Sequence, residues 1–257
     1  MGARPQPYGG GVAIDWTRYR AVLFDLDGVL TPTASVHRRA WKRTLDAYLA
    51  ARHPGESGFT DADYLEHVDG KPRYDGVRDF LRARGIELVE GTPDEDPGWQ
   101  SVCGIGNAKN EFFNRVLAEE GVEPYPGSLR LLDHLGRIGV PAGVVSSSAN
   151  AGAVLTAAGL GQRFAVVVDG MAARRWGLAG KPAPDTFLAA ARLLGAEASA
   201  SVVVEDAISG VAAGRAGGFA LVVGVDRDAG VDELLAAGAD TVVADLGDTV
   251  PSGVEPN

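Results

Sequence analysis

Six short apolar runs constrain this chain more than any other feature. They lie at 21–24, 142–145, 164–168, 202–204, 220–223 and 241–243, and most are rich in β-branched residues. Unbroken apolar runs of this length read as strands buried on both faces, and therefore as a parallel sheet. From residue 126 onward they alternate with helical patterns. Leu129, Leu132 and Leu135 repeat at three-residue spacing, and Phe187, Leu188, Ala191 and Leu194 mark a second apolar stripe. Strand–helix alternation of this kind is the pattern of a doubly wound α/β fold. Such a sheet gathers ligand chemistry at the carboxyl ends of its strands, so those ends are where functional residues are sought.

The interval 33–121 carries no convincing buried strand. It reads as helices around 34–52, 72–84 and 107–120, interrupted by a turn-rich stretch at 90–98. The expected architecture is thus a Rossmann-like parallel-sheet core, 13–32 and 122–247, with an all-helical cap inserted at 33–121. The ends, 1–12 and 248–257, read as flexible tails rich in Gly and Pro. A cap placed over the carboxyl edge of the sheet suits a mobile lid, with a rigid stabilising domain as the alternative. Among 257 residues, 46% are apolar and 23% charged, as in an ordinary globular protein. The net charge of −10 argues against a general nucleic-acid or anionic-membrane binder. A single cysteine, Cys103, excludes an intramolecular disulfide and fits a reducing compartment. With no apolar leader at the start and no membrane-length apolar run, the expected location is the cytoplasm.

The chemistry begins where the first run ends, at Asp25-Leu-Asp-Gly28. A carboxylate at a strand end can attack phosphorus, and a neighbouring acid can shuttle the proton of the oxygen that enters or leaves. Two acids this close also seed a Mg²⁺ site, because that ion prefers oxygen ligands and bridges to phosphate. The hydroxyls of Ser146, Ser147 and Ser148 follow a second run, with Asn150 beyond them, and can hold phosphate oxygens. Lys181 precedes a helical pattern, with Pro182 and Pro184 restricting the backbone after it. Glu205 and Asp206 close a further run and suit a cation's remaining ligands. Alone, each element has an ordinary structural reading. Together, four loop elements at one edge of a sheet add up to phosphoryl transfer through a carboxylate with Mg²⁺. Cys103 has no evident base, the histidines show no zinc spacing, and Gly177-Leu-Ala-Gly-Lys181 lacks the spacing of a P-loop.

In order and setting, Asp25-Leu-Asp-Gly-Val-Leu-Thr31, Ser146, Lys181 and Glu205-Asp206 resemble the motifs of the haloacid dehalogenase superfamily. The resemblance extends over about 19–245. Within that superfamily the chain is similar to the β-phosphoglucomutase-like subfamily, on the evidence of the cap. Thr33-Ala-Ser-Val-His37-Arg-Arg-Ala-Trp41-Lys42 resembles that subfamily's helix after the nucleophile, Gly70-Lys-Pro-Arg73 its phosphate-gripping loop, and Lys109-Asn110 its sugar-facing pair. Pro32, where an aspartate is common, and a longer stretch at 87–103 depart from it.

The resemblance implies a role for each of these residues. Asp25 becomes an aspartyl phosphate. Asp27 is the general acid/base, and its carbonyl joins Asp25, Glu205 and Asp206 around Mg²⁺. Ser146, the Ser147 N–H and Lys181 hold the transferring group, while Arg73 holds the distal phosphate. Thr33, His37, Trp41, Lys109, Ser148 and Asn150 complete the substrate surroundings, with His37 coupling cap closure to Asp27. The implied reaction interconverts β-glucose 1-phosphate and glucose 6-phosphate through glucose 1,6-bisphosphate, with a disaccharide phosphorylase as a functional partner. A sugar-phosphate phosphatase on the same core is the alternative, and a non-catalytic sugar-phosphate-binding module a remoter one.

Overall fold

The computed structural model describes residues 13–251. Six parallel strands form one sheet: β1 (Ala21–Phe24), β2 (Ala142–Val145), β3 (Val166–Val168), β4 (Ser201–Glu205), β5 (Leu221–Val225) and β6 (Thr241–Val243). Their order is β3-β2-β1-β4-β5-β6, so β1 lies at the centre and the order reverses beside it. All six expected runs are strands. Phe164 and Ala165 lie before β3, and β4 and β5 each extend to residue 205 or 225, beyond the apolar run. Register pairs Phe24 with Val144 on one side and Val204 on the other. The ends of β1, β2 and β4 therefore lie level, and the residues that follow them meet.

Alternation along the strands sorts the core into two layers. Val22, Phe24, Val144, Val202 and Val204 face one side, beneath α5 (Pro126–Ile138) and α6 (Ala151–Ala157). Leu23, Val145, Val203 and Val222 face the other, beneath α8 (Asp185–Leu193), α9 (Ile208–Ala216) and α10 (Val231–Ala237). Both apolar stripes seen in the sequence lie on helices, α5 and α8. A short helix, α7 (Gly170–Trp176), follows β3.

Between β1 and β2 the described residues of 33–121 contain no strand. They form α1 (Thr33–Arg52), α2 (Asp61–Asp63) running into a π-helical turn at Tyr64–Val68, α3 (Arg73–Ala83) and α4 (Val102–Glu120). This cap has its own apolar centre, with Trp41, Leu45, Tyr48, Phe59, Val77, Phe80 and Ile105 packed together. Two differences from the sequence reading have local causes. The last cap helix starts at 102 and not 107, because the Ser101 hydroxyl caps it by accepting from Gly104 N at 2.9 Å. The 61–68 helical segment was not expected, although Thr60 and Asp63 form a capping box that nucleates it.

The tail expected from 248 begins inside ordered structure. Leu246–Thr249 is a 3₁₀ turn, and the Thr249 carbonyl accepts from Trp16 Nε1 at 3.1 Å and Ile14 N at 3.0 Å. Residues 1–12 and 252–257, the remainder of the expected tails, lie outside the described residues.

Gly28 allows the chain to turn after β1. Its φ is 93°, and a Cβ there would overlap the Asp206 carboxylate. Gly28→Ala should lose about 1–2 kcal/mol from the left-handed backbone alone and displace Asp206. Paired thermal melts and phosphoryl-transfer assays test this. The expected result is a lower melting temperature with turnover reduced at least about tenfold, and an unchanged melt and rate would refute it.

Candidate active site

Asp25 follows β1 and is nearly buried, at 6% exposure. Its Oδ2 accepts from Asp27 N at 2.7 Å, and its Oδ1 accepts from the Lys181 ammonium. Lys181 also donates to Glu205 Oε1 at 2.5 Å and to the Val145 carbonyl at 3.2 Å. The ends of β1, β2 and β4 are thus joined through one ammonium group. Burial works against that charge, but Asp25 and Glu205 outweigh it and hold Lys181 protonated well above the usual lysine range. Burial pushes Asp25 and Asp206 well above the carboxylate range. Lys181 opposes this in both, and the surrounding acids add to it.

Asp27 is held differently. The Thr33 hydroxyl donates to its Oδ1 at 2.5 Å, and Ser146 Oγ approaches its Oδ2 at 3.4 Å. Burial would raise its pKa, but His37 and Thr33 prevail and lower it to about 2. Behind it runs a chain from the cap. Lys109 Nζ is hydrogen-bonded to His37 Nδ1, and with the ammonium as donor the His37 proton is assigned to Nε2. Nε2 lies 3.3 Å from Asp27 Oδ1 but is not aligned for a hydrogen bond, and it has no other partner among the described residues. His37 stacks on Phe113 at 4.1 Å, and the Lys109 ammonium sits 5.1 Å from the centres of both the Trp41 and Phe113 rings. Burial pulls Lys109 down to about 7, with Arg73 adding to the effect and Asp27 opposing it.

The cap is tied to the core directly over these groups. Ser147 Oγ donates to the Gly70 carbonyl at 2.7 Å, and Ser209 Oγ to the Asp69 carbonyl at 3.0 Å. Asn150 Nδ2 donates to Asn110 Oδ1 at 2.6 Å, and Arg38 pairs with Asp228 at 3.1 Å. The cavity between cap and core has a free volume of about 70 Å³.

Asp25, Asp27, His37, Trp41, Arg73, Lys109, Ser147, Ser148, Glu205 and Asp206 line that cavity. Thr33, Ser146, Lys181 and Asn150 do not. They stand behind it, bonded to Asp27, Asp25, Glu205 or Asn110. The sequence reading missed Asp69, which also lines the cavity. Burial pushes its carboxyl up to about 6, the Tyr64 hydroxyl opposes this, and Glu205 adds to it. Its position just before Gly70-Lys-Pro-Arg73 was the available signal.

Among the described residues, no group of three or more His, Cys, Asp or Glu side chains already surrounds a common point. Lys181 stands between Asp25 and Glu205, and Glu205 Oε2 accepts from Ala207 N at 2.8 Å. The donor chemistry nevertheless suits a hard cation. Asp25, Glu205 and Asp206 are buried with a single ammonium among them, and all offer oxygen.

A model of the haloacid dehalogenase-like hydrolases matches residues 19–218. The chain belongs to this family. Within it, the β-phosphoglucomutase of Mycobacterium bovis is 49% identical over 237 residues, covering 89% of this chain and 90% of the relative. That of Bacillus subtilis is 30% identical over 207 residues, covering 80% and 83%. The crystal structure of a β-phosphoglucomutase from Clostridium difficile superposes with a TM-score of 0.70 at 25% identity, covering 89% of this chain and 92% of that one. The chain is an enzyme of the β-phosphoglucomutase-like branch of the haloacid dehalogenase family.

Lys109 makes stability depend on pH in a definite direction. The unfolded chain keeps the Lys109 proton to about pH 10, whereas the folded chain releases it near 7. The unfolded state therefore binds more protons across that window, and stability rises with pH through it. Lys109→Met should stabilise the protein at pH 7 by roughly 3 kcal/mol and flatten that rise. Urea unfolding at pH 7 and 10 measures both, and the same slope in variant and wild type would exclude this account.

Proposed function

We propose that this enzyme is a β-phosphoglucomutase, interconverting β-glucose 1-phosphate and glucose 6-phosphate through glucose 1,6-bisphosphate and an aspartyl-phosphate at Asp25. The observation that carries the proposal is a pair of carboxylates lining one cavity, Asp25 buried and Asp27 half-buried, in different electrostatic surroundings beneath the cap residues Lys109 and Arg73. The identity to relatives named β-phosphoglucomutase supports the same reading.

Asp25 attacks phosphorus and carries the phosphoryl group. Lys181, the Ser146 hydroxyl and the Ser147 N–H offset the charge on the phosphoryl oxygens during transfer. Asp27, held ionised by Thr33 and His37, takes the proton from the 6-hydroxyl of glucose 1-phosphate as that oxygen attacks the aspartyl phosphate. The bisphosphate so formed turns over in the site. Its 1-phosphoryl group passes to Asp25, and Asp27 returns the proton to the departing O1. Glucose 6-phosphate leaves, and the aspartyl phosphate is restored. Arg73 holds whichever phosphate is not reacting. Mg²⁺ fits the Asp25, Glu205, Asp206 and Asp27-carbonyl set, and when bound it supplies neutralising charge.

With the cap tied down, the cavity has room for only a handful of waters. Lifting of the cap would make room for the sugar phosphate, and its return would exclude bulk water from the aspartyl phosphate. That exclusion is what separates a mutase from a phosphatase on the same core. A disaccharide phosphorylase that releases β-glucose 1-phosphate is the class of reaction that would feed it, with both enzymes in the cytoplasm.

The test supplies Mg²⁺, β-glucose 1-phosphate and a trace of the 1,6-bisphosphate, and follows both glucose 6-phosphate and free phosphate. Glucose 6-phosphate should greatly exceed phosphate, and near-stoichiometric phosphate would replace the mutase with a phosphatase. Asp25→Asn should reduce turnover by about 10³-fold or more in protein that is still folded but melts lower, because an amide cannot form the acyl phosphate and no longer balances the Lys181 charge.

A further inference from the structure

Beside the catalytic cavity lies a second hollow of about 610 Å³, in the seam between cap helix α3 and core helix α7. Lys71, Arg73, Ser147 and Ala149 line both. The hollow also reaches Ser146 and Lys181, the residues in contact with Asp27 and Asp25. Its charged lining comprises Lys71, Arg73, Arg78, Arg174 and Lys181 against Asp75 and Asp79.

Most of that charge is already matched. Lys71 pairs with Asp79 at 2.9 Å, and Arg78 binds Asp75 and, at 3.0 Å, Glu90. Lys181 is committed to Asp25 and Glu205. Arg73 and Arg174 are left, with no ion pair and no side-chain hydrogen bond among the described residues. Both guanidiniums lie over the ring of Tyr74, Arg73 at 5.0 Å and Arg174 at 5.6 Å from its centre. An aromatic ring attracts each cation but neutralises neither. Arg73 is half-buried and Arg174 exposed at the rim, so one cation comes from the cap and the other from the core. The Thr186 hydroxyl, buried and without a hydrogen-bond partner among the described residues, also lines the hollow.

We propose that Arg174 and Arg73 form a two-arginine phosphate site across the cap–core seam, and that it holds the sugar-borne phosphate that is not reacting at Asp25. The proposal rests on the mutase reading, which requires a place for that second phosphate. A phosphate dianion between two guanidiniums matches their forked donors and cancels the charge that Tyr74 leaves standing. Because the two arginines belong to different domains, the same dianion draws cap to core. Closure is thereby favoured when a phosphorylated sugar is bound, and an unphosphorylated sugar cannot bring it about. Arg174 is in this sense a specificity residue supplied by α7.

The experiment uses the full chain, wild type, Arg174→Ala and Arg174→Lys. One arm measures KM and kcat with β-glucose 1-phosphate and with the 1,6-bisphosphate. The other measures the rise in melting temperature produced by inorganic phosphate in the absence of sugar. The expected result for Arg174→Ala is a KM raised about tenfold with kcat within about twofold, and a smaller phosphate-induced rise. Arg174→Lys should recover part of each, since the charge remains while the fork is lost. Unchanged KM values and an unchanged phosphate response overturn the proposal. A reduced phosphate response with unchanged KM values overturns the assignment to the substrate, because the site then takes a free anion. If wild type fails to isomerise at all, the mutase reading falls, and the phosphate arm still decides whether Arg174 binds phosphate.

Discussion

Lys181 joins three strand ends that are far apart in the chain. Its ammonium meets Asp25 after β1, the Val145 carbonyl at the end of β2 and Glu205 at the end of β4. All the charged groups in this contact are nearly inaccessible to water. A buried ion cluster is seldom a net gain in stability over apolar packing. Removing one member, however, strands the others and typically costs about 3–5 kcal/mol. The cluster is thus better understood as a constraint. It compels the loops after β1, β2 and β4 and the segment before α8 to converge, and everything chemical in the molecule is arranged around that convergence.

The level register of the central strands makes the cluster possible. Phe24 lies beside Val144 and Val204, so the next residues on β1, β2 and β4 emerge at one height. The apolar layers above and below the sheet keep water from the ammonium, which strengthens its attraction to the carboxylates. The excess of carboxylate over ammonium is what suits the site to a hard cation and a phosphoryl group. The cap then adds a second electrostatic layer. Lys109 and His37 bear on Asp27 from above, while Lys181 bears on Asp25 from below. Burial outweighs Lys181 and drives Asp25 up, while His37 and Thr33 outweigh burial and draw Asp27 down, so two carboxylates two residues apart are set in opposite directions.

The stability of the cap and its attachment to the core have separate origins. Trp41, Tyr48, Phe59 and Phe80 give the cap an apolar centre of its own. Its ties to the core over the site are polar: two serine hydroxyls on backbone carbonyls, one asparagine pair and one ion pair. Polar contacts of this kind exchange readily for water, whereas a shared apolar core does not. Beside these ties, Ala40 of α1 and Phe113 of α4 join the apolar cluster of the core, so the polar ties can open over the site while that shared packing holds the cap to the core.

Much of this was legible in the amino-acid order. The six apolar runs determine the strands, because continuous β-branched segments can be buried only within a covered parallel sheet. Asp25, Asp27, Ser146, Lys181, Glu205 and Asp206 could be placed at strand or helix ends, because an apolar run that stops at an acid or hydroxyl marks its own boundary. The start of α4 and the 61–68 segment were less legible, because capping by Ser101, Thr60 and Asp63 is weak beside a clear apolar period. What only the tertiary structure decided are the pairings. Nothing in the order of residues says that Lys109 bears on Asp27 through His37, that Asp69 lines the cavity, or that Arg73 and Arg174 share one tyrosine ring. Those relations depend on how the cap helices lie over the sheet. That placement is set by side-chain packing between segments distant in sequence, and local periodicity carries no record of it.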